Sequence, residues 1–185
     1  MQKNKILDCN DFQVLRYLYS NNFEKEQALE KISVFLEWMH DPAIQTLSHK
    51  ASWIMNEGAI YTYGRDKTNR PVVYLDLSKV RFDRNDVTDY YCAFNAVLNV
   101  AVNTCFVPGV IENYVFVIDM GGKNFTSLPL PSLGNIIKKM SIVYSMYLGT
   151  MLVVNSQTFV KFTYNALKPF IHEETKKKII LLGND

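Results

Sequence analysis

The side chains of this sequence with the best claim to chemistry are three histidines, three cysteines and one aspartate that closes an apolar run. Their spacing supports no reaction. His40, His49 and His172 never fall in the HExxH pattern that puts two imidazoles on one helix face, so each reads as a satisfied or exposed histidine. Cys9, Cys92 and Cys105 are odd in number and share no CxxC, which suggests neither a disulfide framework nor a tetrahedral zinc site. They read as buried or idle thiols of a reducing compartment. No serine sits in GxSxG, and Gly121-Gly122-Lys123 lacks the first half of a phosphate loop. Asp119 stands at the C-terminal end of an apolar strand, where open α/β sheets meet their ligands, but no base or metal partner accompanies it, and it reads as structural. The expectation is a protein with no catalytic residue, no metal and no cofactor.

The elements that position these groups follow from composition and periodicity. Apolar residues make up 48% of the 185 positions and charged ones 21%, with a net charge of +2, which argues for a globular chain and against disorder. A single domain of this length buries roughly 70% of the surface of its unfolded form. The slight basic excess forms no stripe on any helix, so no nucleic acid is expected as a partner. No apolar run approaches the ~20 residues of a membrane span, and the N-terminus is polar, so the expectation is a cytoplasmic protein.

Phe12, Val14, Leu15 and Leu18 predict a helix after Asp11 that stops near Asn21-Asn22. Ala28, Leu29, Ile32, Phe35, Leu36 and Met39 predict a second, amphipathic helix over residues 24–39, and a third spans 42–55. Alternating residues 59–63 and the run 72–77 flank a polar turn and predict a hairpin. A helix over 89–105, the apolar run 114–118, a helix over 132–146, the run 150–155, a helix over 158–170 and a short strand over 178–182 complete the pattern. Alternation of apolar runs with helices predicts an α/β fold: N-terminal helices, then a largely parallel sheet covered by helices. The late helix carries one apolar stripe of Phe159, Phe162, Ala166 and Phe170 and a second of Val160, Tyr164 and Leu167, which suits either a packed core helix or one with apolar neighbours on two sides.

In this order the motifs resemble the Sec14-like, or CRAL-TRIO, domains over nearly the whole sequence. Leu15-Arg16-Tyr17-Leu18, Phe23, Ala28-Leu29 and Phe35-Leu36-Glu37-Trp38 look like the helical lead-in of that family. Asp66-Lys67-Thr68-Asn69-Arg70-Pro71-Val72 looks like its D-x-D-G-R-P-V hairpin, with Asn69 where the family usually has Gly, a replacement that tolerates left-handed backbone. The strand ending at Asp119 and followed by Gly122 resembles the family's D-x-x-G segment. Tyr144, Leu148-Gly149, Val154-Asn155, Lys168-Pro169-Phe170, Thr175 and Lys178-Ile179 follow in the family's order and spacing.

The resemblance implies a helical lead-in over residues 1–56 and a lipid-binding domain over 57–185. The pocket would hold a phospholipid, phosphatidylinositol or phosphatidylcholine, or another hydrophobic ligand, on a floor that includes Val115, Val117 and Val153. A gate helix carrying Phe159, Phe162, Ala166 and Phe170 would close it. In members that bind phosphatidylinositol, a Thr and a Lys three residues later hold the phosphate. Thr175 and Lys178 occupy those places here, although residues 175–178 read equally as a helix cap with surface lysines. Two expected partners differ: Met146 replaces the acid of the Y-P-E-R-x-G segment, and Asn21-Asn22 replaces a basic pair. Asn124 and Thr126 answer to phosphatidylcholine contacts or to ordinary turn chemistry, and Arg70 faces an internal carboxylate or decorates the hairpin. The implied partners are a lipid and, transiently, a membrane surface. The other reading is a module that keeps the fold and docks a protein such as a small GTPase. Members generally continue past the strand at 178–182, so the sequence is expected to be short at that end.

Overall fold

The structure is a computed structural model that describes residues 9–121, 129–156 and 159–183. Four helices come first: α1 (Asp11–Ser20), α2 (Lys25–Met39), α3 (Pro42–Gln45) and α4 (His49–Asn56). Helix α1 opens on a capping box in which Asn10 and Gln13 exchange side chain to backbone hydrogen bonds at 2.9 Å. The cap is thus Asn10, and Asp11 is the first residue of the helix. The single helix expected over 42–55 is two, because Thr46 is extended and the Ser48 hydroxyl accepts from the Ala51 N–H to start α4.

Strands β1 (Ile60–Arg65) and β2 (Pro71–Asp76) form the expected antiparallel hairpin. Asn69 turns it with φ +65°, the left-handed conformation that its residue type allows. Helix α5 (Val87–Val100), prolonged by a π-helical turn over Ala101–Cys105, crosses to β3 (Tyr114–Asp119). Helix α6 (Leu130–Val143) crosses to β4 (Leu148–Ser156). Helix α7 (Phe159–Leu167), a 3-10 turn (Lys168–Phe170) and α8 (Glu173–Lys176) lead to β5 (Ile179–Gly183). The strand order is β1-β2-β3-β4-β5, parallel from β2 onward. A sequential parallel order with right-handed crossovers sends successive crossover helices to one face.

Register shows what that face contains. Thr62, Val73, Phe116, Met151 and Ile179 form one row across all five strands. Phe94 of α5 packs edge-on against Phe116 with ring centroids 5.0 Å apart, fixing this as the helix-covered side. The adjacent row of Tyr61, Tyr74, Val117, Leu152 and Ile180 points the other way. On that side Tyr61 stacks on Tyr74, and the Tyr74 hydroxyl donates to Asp119. The core lies between the covered face and the helices, where Phe35 stacks on Trp38 and Trp38 meets Tyr144 edge-on. The buried Tyr17 hydroxyl donates to the Val143 carbonyl at 3.1 Å and ties α1 to the end of α6.

Candidate ligand cavity

A cavity of about 620 Å³ opens on the covered side of the sheet. That volume lies within the ~300–1,000 Å³ of small-molecule sites. Its floor is apolar: Phe94 of α5, Tyr114 and Phe116 of β3 and Met151 of β4. Ile137 and Met140 of α6 form one wall. The α1–α2 turn and the start of α2 form another, through Tyr19, Asn21, Asn22 and Lys31. The segment after α7 closes the ring with His172, Thr175 and Lys178. Tyr19 and Met146 also line it and are 62% and 48% exposed, so the polar end is the one that meets solvent.

Local sequence explains each wall. Helix α1 ends in a Schellman motif in which the Phe23 N–H reaches the Leu18 carbonyl at 2.8 Å and the Asn22 N–H reaches Tyr19 at 3.2 Å. Asn22 takes the left-handed conformation that this motif needs (φ +52°), and Phe23 follows it at +63°. The Asn21 amide donates to the Tyr17 carbonyl at 2.7 Å and to the Ser20 hydroxyl at 3.1 Å. The asparagine pair therefore builds the turn and leaves Asn21 no free amide proton to offer a ligand. Met146 is also left-handed (φ +66°), in the tight turn between α6 and β4.

The two lysines of the cavity differ. Lys178 Nζ donates to the Leu148 carbonyl at 2.7 Å, and burial holds its ammonium below the ordinary lysine range, with Glu174 partly offsetting the effect. Lys31 is half-buried and also held low by burial, with only Glu30 opposing. Among the described residues it has no hydrogen-bond or ion-pair partner. The carboxylate of Glu174, another lining residue, is bridged to Lys177 at 2.6 Å.

Of the residues singled out from sequence, the structure brings Thr175 and Lys178 into the cavity, together with Asn21, Asn22 and Met146. Val115 and Val117 lie on the opposite face of the sheet from Phe116. Val153 is on the covered face but packs with Met120 in a separate small cluster. Arg70 faces a carboxylate, that of Asp66 in its own hairpin, through Nη2–Oδ2 at 2.7 Å and Nε–Oδ2 at 2.8 Å. Its Nη1 also lies against Gly149, where an added Cβ would come within 2.8 Å. Arg70 thus pairs within its own hairpin, its guanidinium lying beside β4 and outside the cavity. Phe170 packs its ring on Gly134 of α6, and Ala166 is half-buried in α7. Phe159 and Phe162 belong to α7, but their side chains, like Asn124 and Thr126 entirely, lie outside the described residues.

Both carboxylate oxygens of Asp119 accept hydrogen bonds. It receives the Tyr74 hydroxyl, the Asn155 amide at 2.8 Å and the Gly121 N–H at 2.9 Å. Burial would raise this carboxyl, but those hydrogen bonds prevail and hold it below its usual value. It ties β2 to β4 across the end of the sheet. Among the described residues no three His, Cys, Asp or Glu side chains gather as for a metal ion, and no helix is long and apolar enough to cross a membrane.

Lys31, Gln27 and Tyr19 line the cavity without having been singled out from sequence. In an amphipathic helix a lysine reads as solvent-facing. The available signal is that Lys31 borders the apolar stripe, three residues after Ala28 and four before Phe35, both buried.

The cavity thus lies between a parallel sheet and helices drawn from both halves of the chain. The chain belongs to the CRAL/TRIO domain family, which matches residues 55–185, and this Sec14-like family binds hydrophobic lipid ligands and is typically non-enzymatic. It is 23% identical over 193 residues to the phosphatidylinositol/phosphatidylcholine transfer protein SFH7 of Arabidopsis thaliana, covering 92% of this chain and 35% of that protein. It is 22% identical to the CRAL-TRIO domain-containing protein T23G5.2 of Caenorhabditis elegans, covering 94% of this chain and 26% of that one. The chain therefore spans about a third or less of these relatives' lengths. The crystal structure of Sfh5 shares the fold with a TM-score of 0.71 at 15% identity, over 97% of this chain and 68% of that one.

Proposed function

We propose that this chain is a carrier or sensor that holds one phospholipid, phosphatidylinositol or phosphatidylcholine, with acyl chains over the Phe94–Phe116 floor and its headgroup toward Thr175 and Lys178. The observation that carries this reading is the joining of an apolar floor to a polar, solvent-facing end, bearing two lysines and two glutamates, within one cavity. Burial supplies the affinity: at ~0.8 kcal/mol per methylene, ten buried methylenes contribute roughly 8 kcal/mol, the scale of micromolar binding. The polar end then selects among headgroups. The similarity to a phosphatidylinositol/phosphatidylcholine transfer protein supports the choice of ligand class.

In this reading the helical lead-in is part of the lipid-binding unit, since α1 and α2 supply a cavity wall. Helix α7 acts as the gate, and the protein works at cytoplasmic membrane surfaces that it visits without inserting a span. Native mass spectrometry of the purified protein is expected to show one copurified phospholipid, and vesicle assays to show its transfer. A protein that emerges lipid-free and moves no lipid between vesicles refutes the reading and favours a protein-docking module instead.

A further inference from the structure

The cavity holds a cation whose place in the fold has no structural explanation. Lys31 projects from α2 on the face it shares with Gln27 and with Glu24 at the helix cap, four and seven residues before it, and all three line the cavity. Lys178, the other lysine there, is committed to the Leu148 carbonyl, and the Asn21 amide to Tyr17 and Ser20. Lys31 has no such commitment among the described residues. Lys31 is half-buried and its ammonium still meets water, so the acceptors of a bound ligand can replace that water.

We propose that Lys31 is a headgroup-binding residue that makes the cavity selective for phospholipids of net negative charge over zwitterionic ones. The proposal rests on the phospholipid reading and assigns the source of its selectivity. It also accounts for the asparagine pair. Asn21-Asn22 shapes the turn, and the positive charge enters the same cavity nine or ten positions later, from one face of α2. A zwitterionic headgroup carries its own cation beside the phosphate and meets Lys31 as a like charge. A phosphatidylinositol headgroup offers phosphate oxygens and hydroxyls that accept from Lys31 and Thr175 together.

The experiment compares the whole chain with Lys31→Met, which keeps the apolar stem, and Lys31→Arg, which keeps the charge. Each protein is loaded from vesicles of phosphatidylcholine containing a minor fraction of phosphatidylinositol, and the bound lipids are extracted and quantified. The expected result is that the wild type and Lys31→Arg enrich phosphatidylinositol over its vesicle fraction, while Lys31→Met loses at least tenfold of that enrichment and loads phosphatidylcholine as before. Melting of the lipid-free proteins controls for folding, and Lys31→Met is expected to melt at or above the wild-type temperature because it removes an unpaired half-buried charge. Equal enrichment by Lys31→Met and wild type overturns the proposal. A lowered melting temperature with equal loss of both lipids also overturns it, making Lys31 structural. A wild type that loads neither lipid overturns the phospholipid reading itself and this proposal with it.

Discussion

Replacing Gly134 by alanine sets two opposed effects against each other at the contact that anchors the end of α7. Gly134 lies inside α6, where alanine is favoured over glycine by ~0.8–1.0 kcal/mol of helix propensity. The new Cβ would stand 2.7 Å from Cγ of Phe170 and 2.8 Å from both Cδ atoms. These atoms form the root of the ring, so the whole ring must move to reach ordinary contact. Overpacking of this kind costs ~1–3 kcal/mol, leaving a net destabilisation of roughly 0–2 kcal/mol. For a chain of this size that lowers the melting temperature by roughly 0–8 °C. Because the net lies near zero at one limit, the decisive measurement is a double-mutant cycle with Phe170→Ala, read by urea denaturation. The clash vanishes when the side chain is cut back to Cβ, so Gly134→Ala should be stabilising in the Phe170→Ala background and neutral or destabilising in the wild type. A coupling of at least ~1 kcal/mol is expected between these touching residues. Strictly additive effects would refute the reasoning.

Phe94→Ala removes a ring that borders both core and cavity, and it should cost ~3–5 kcal/mol, including the edge-to-face contact with Phe116. The urea midpoint should fall with an unchanged slope, and a loss under ~1 kcal/mol would mean the cavity relaxes around the missing ring. Burial would raise the Asp66 carboxyl from its ordinary value of 3.8, but hydrogen bonds from Arg70 and Thr68 outweigh it and bring it down to about 2. A depressed carboxyl stabilises the folded form above its unfolded value, and the contribution disappears as pH falls through the folded one. Acid titration of the wild type should therefore show stability lost between about pH 4 and pH 2, and Asp66→Asn should be less stable at neutral pH with this part of the acid dependence flattened. An identical acid profile in both proteins would discard the Asp66–Arg70 pair as a source of stability.

Much of the fold is legible in the sequence because strong local signals coincide with tertiary ones. The apolar run at 114–118 is a strand because both of its faces are shielded, and Asn69 marks the left-handed turn by its residue type. The split between α3 and α4 is also written locally, in Ser48, but the apolar content of 42–55 hides it. Sheet register is not written locally. Val115 and Val117 alternate with Phe116 in a run apolar throughout, so composition gives no sign of which set meets the cavity. Thr175 and Lys178 reach it because a motif of fixed spacing precedes β5. Lys31 escapes notice because its helix is amphipathic in the ordinary way, and only the packing of α2 beside the α6–β4 turn places a charged position against a cavity.

The strand order has a bearing on how the chain is made. Each strand pairs with the one before it in sequence, so the sheet grows in one direction, and the newest strand is always its edge. Domains assemble from the N-terminus during synthesis at ~5–20 residues per second. The segment carrying Thr175 and Lys178 emerges about 145 residues after the wall carrying Lys31, roughly seven to thirty seconds later at that pace. Through that interval the chain holds part of a binding site, with the apolar floor of β3 and β4 laid down before Thr175 and Lys178 exist. A nascent chain at that stage presents its greasiest surface with no means of choosing what covers it.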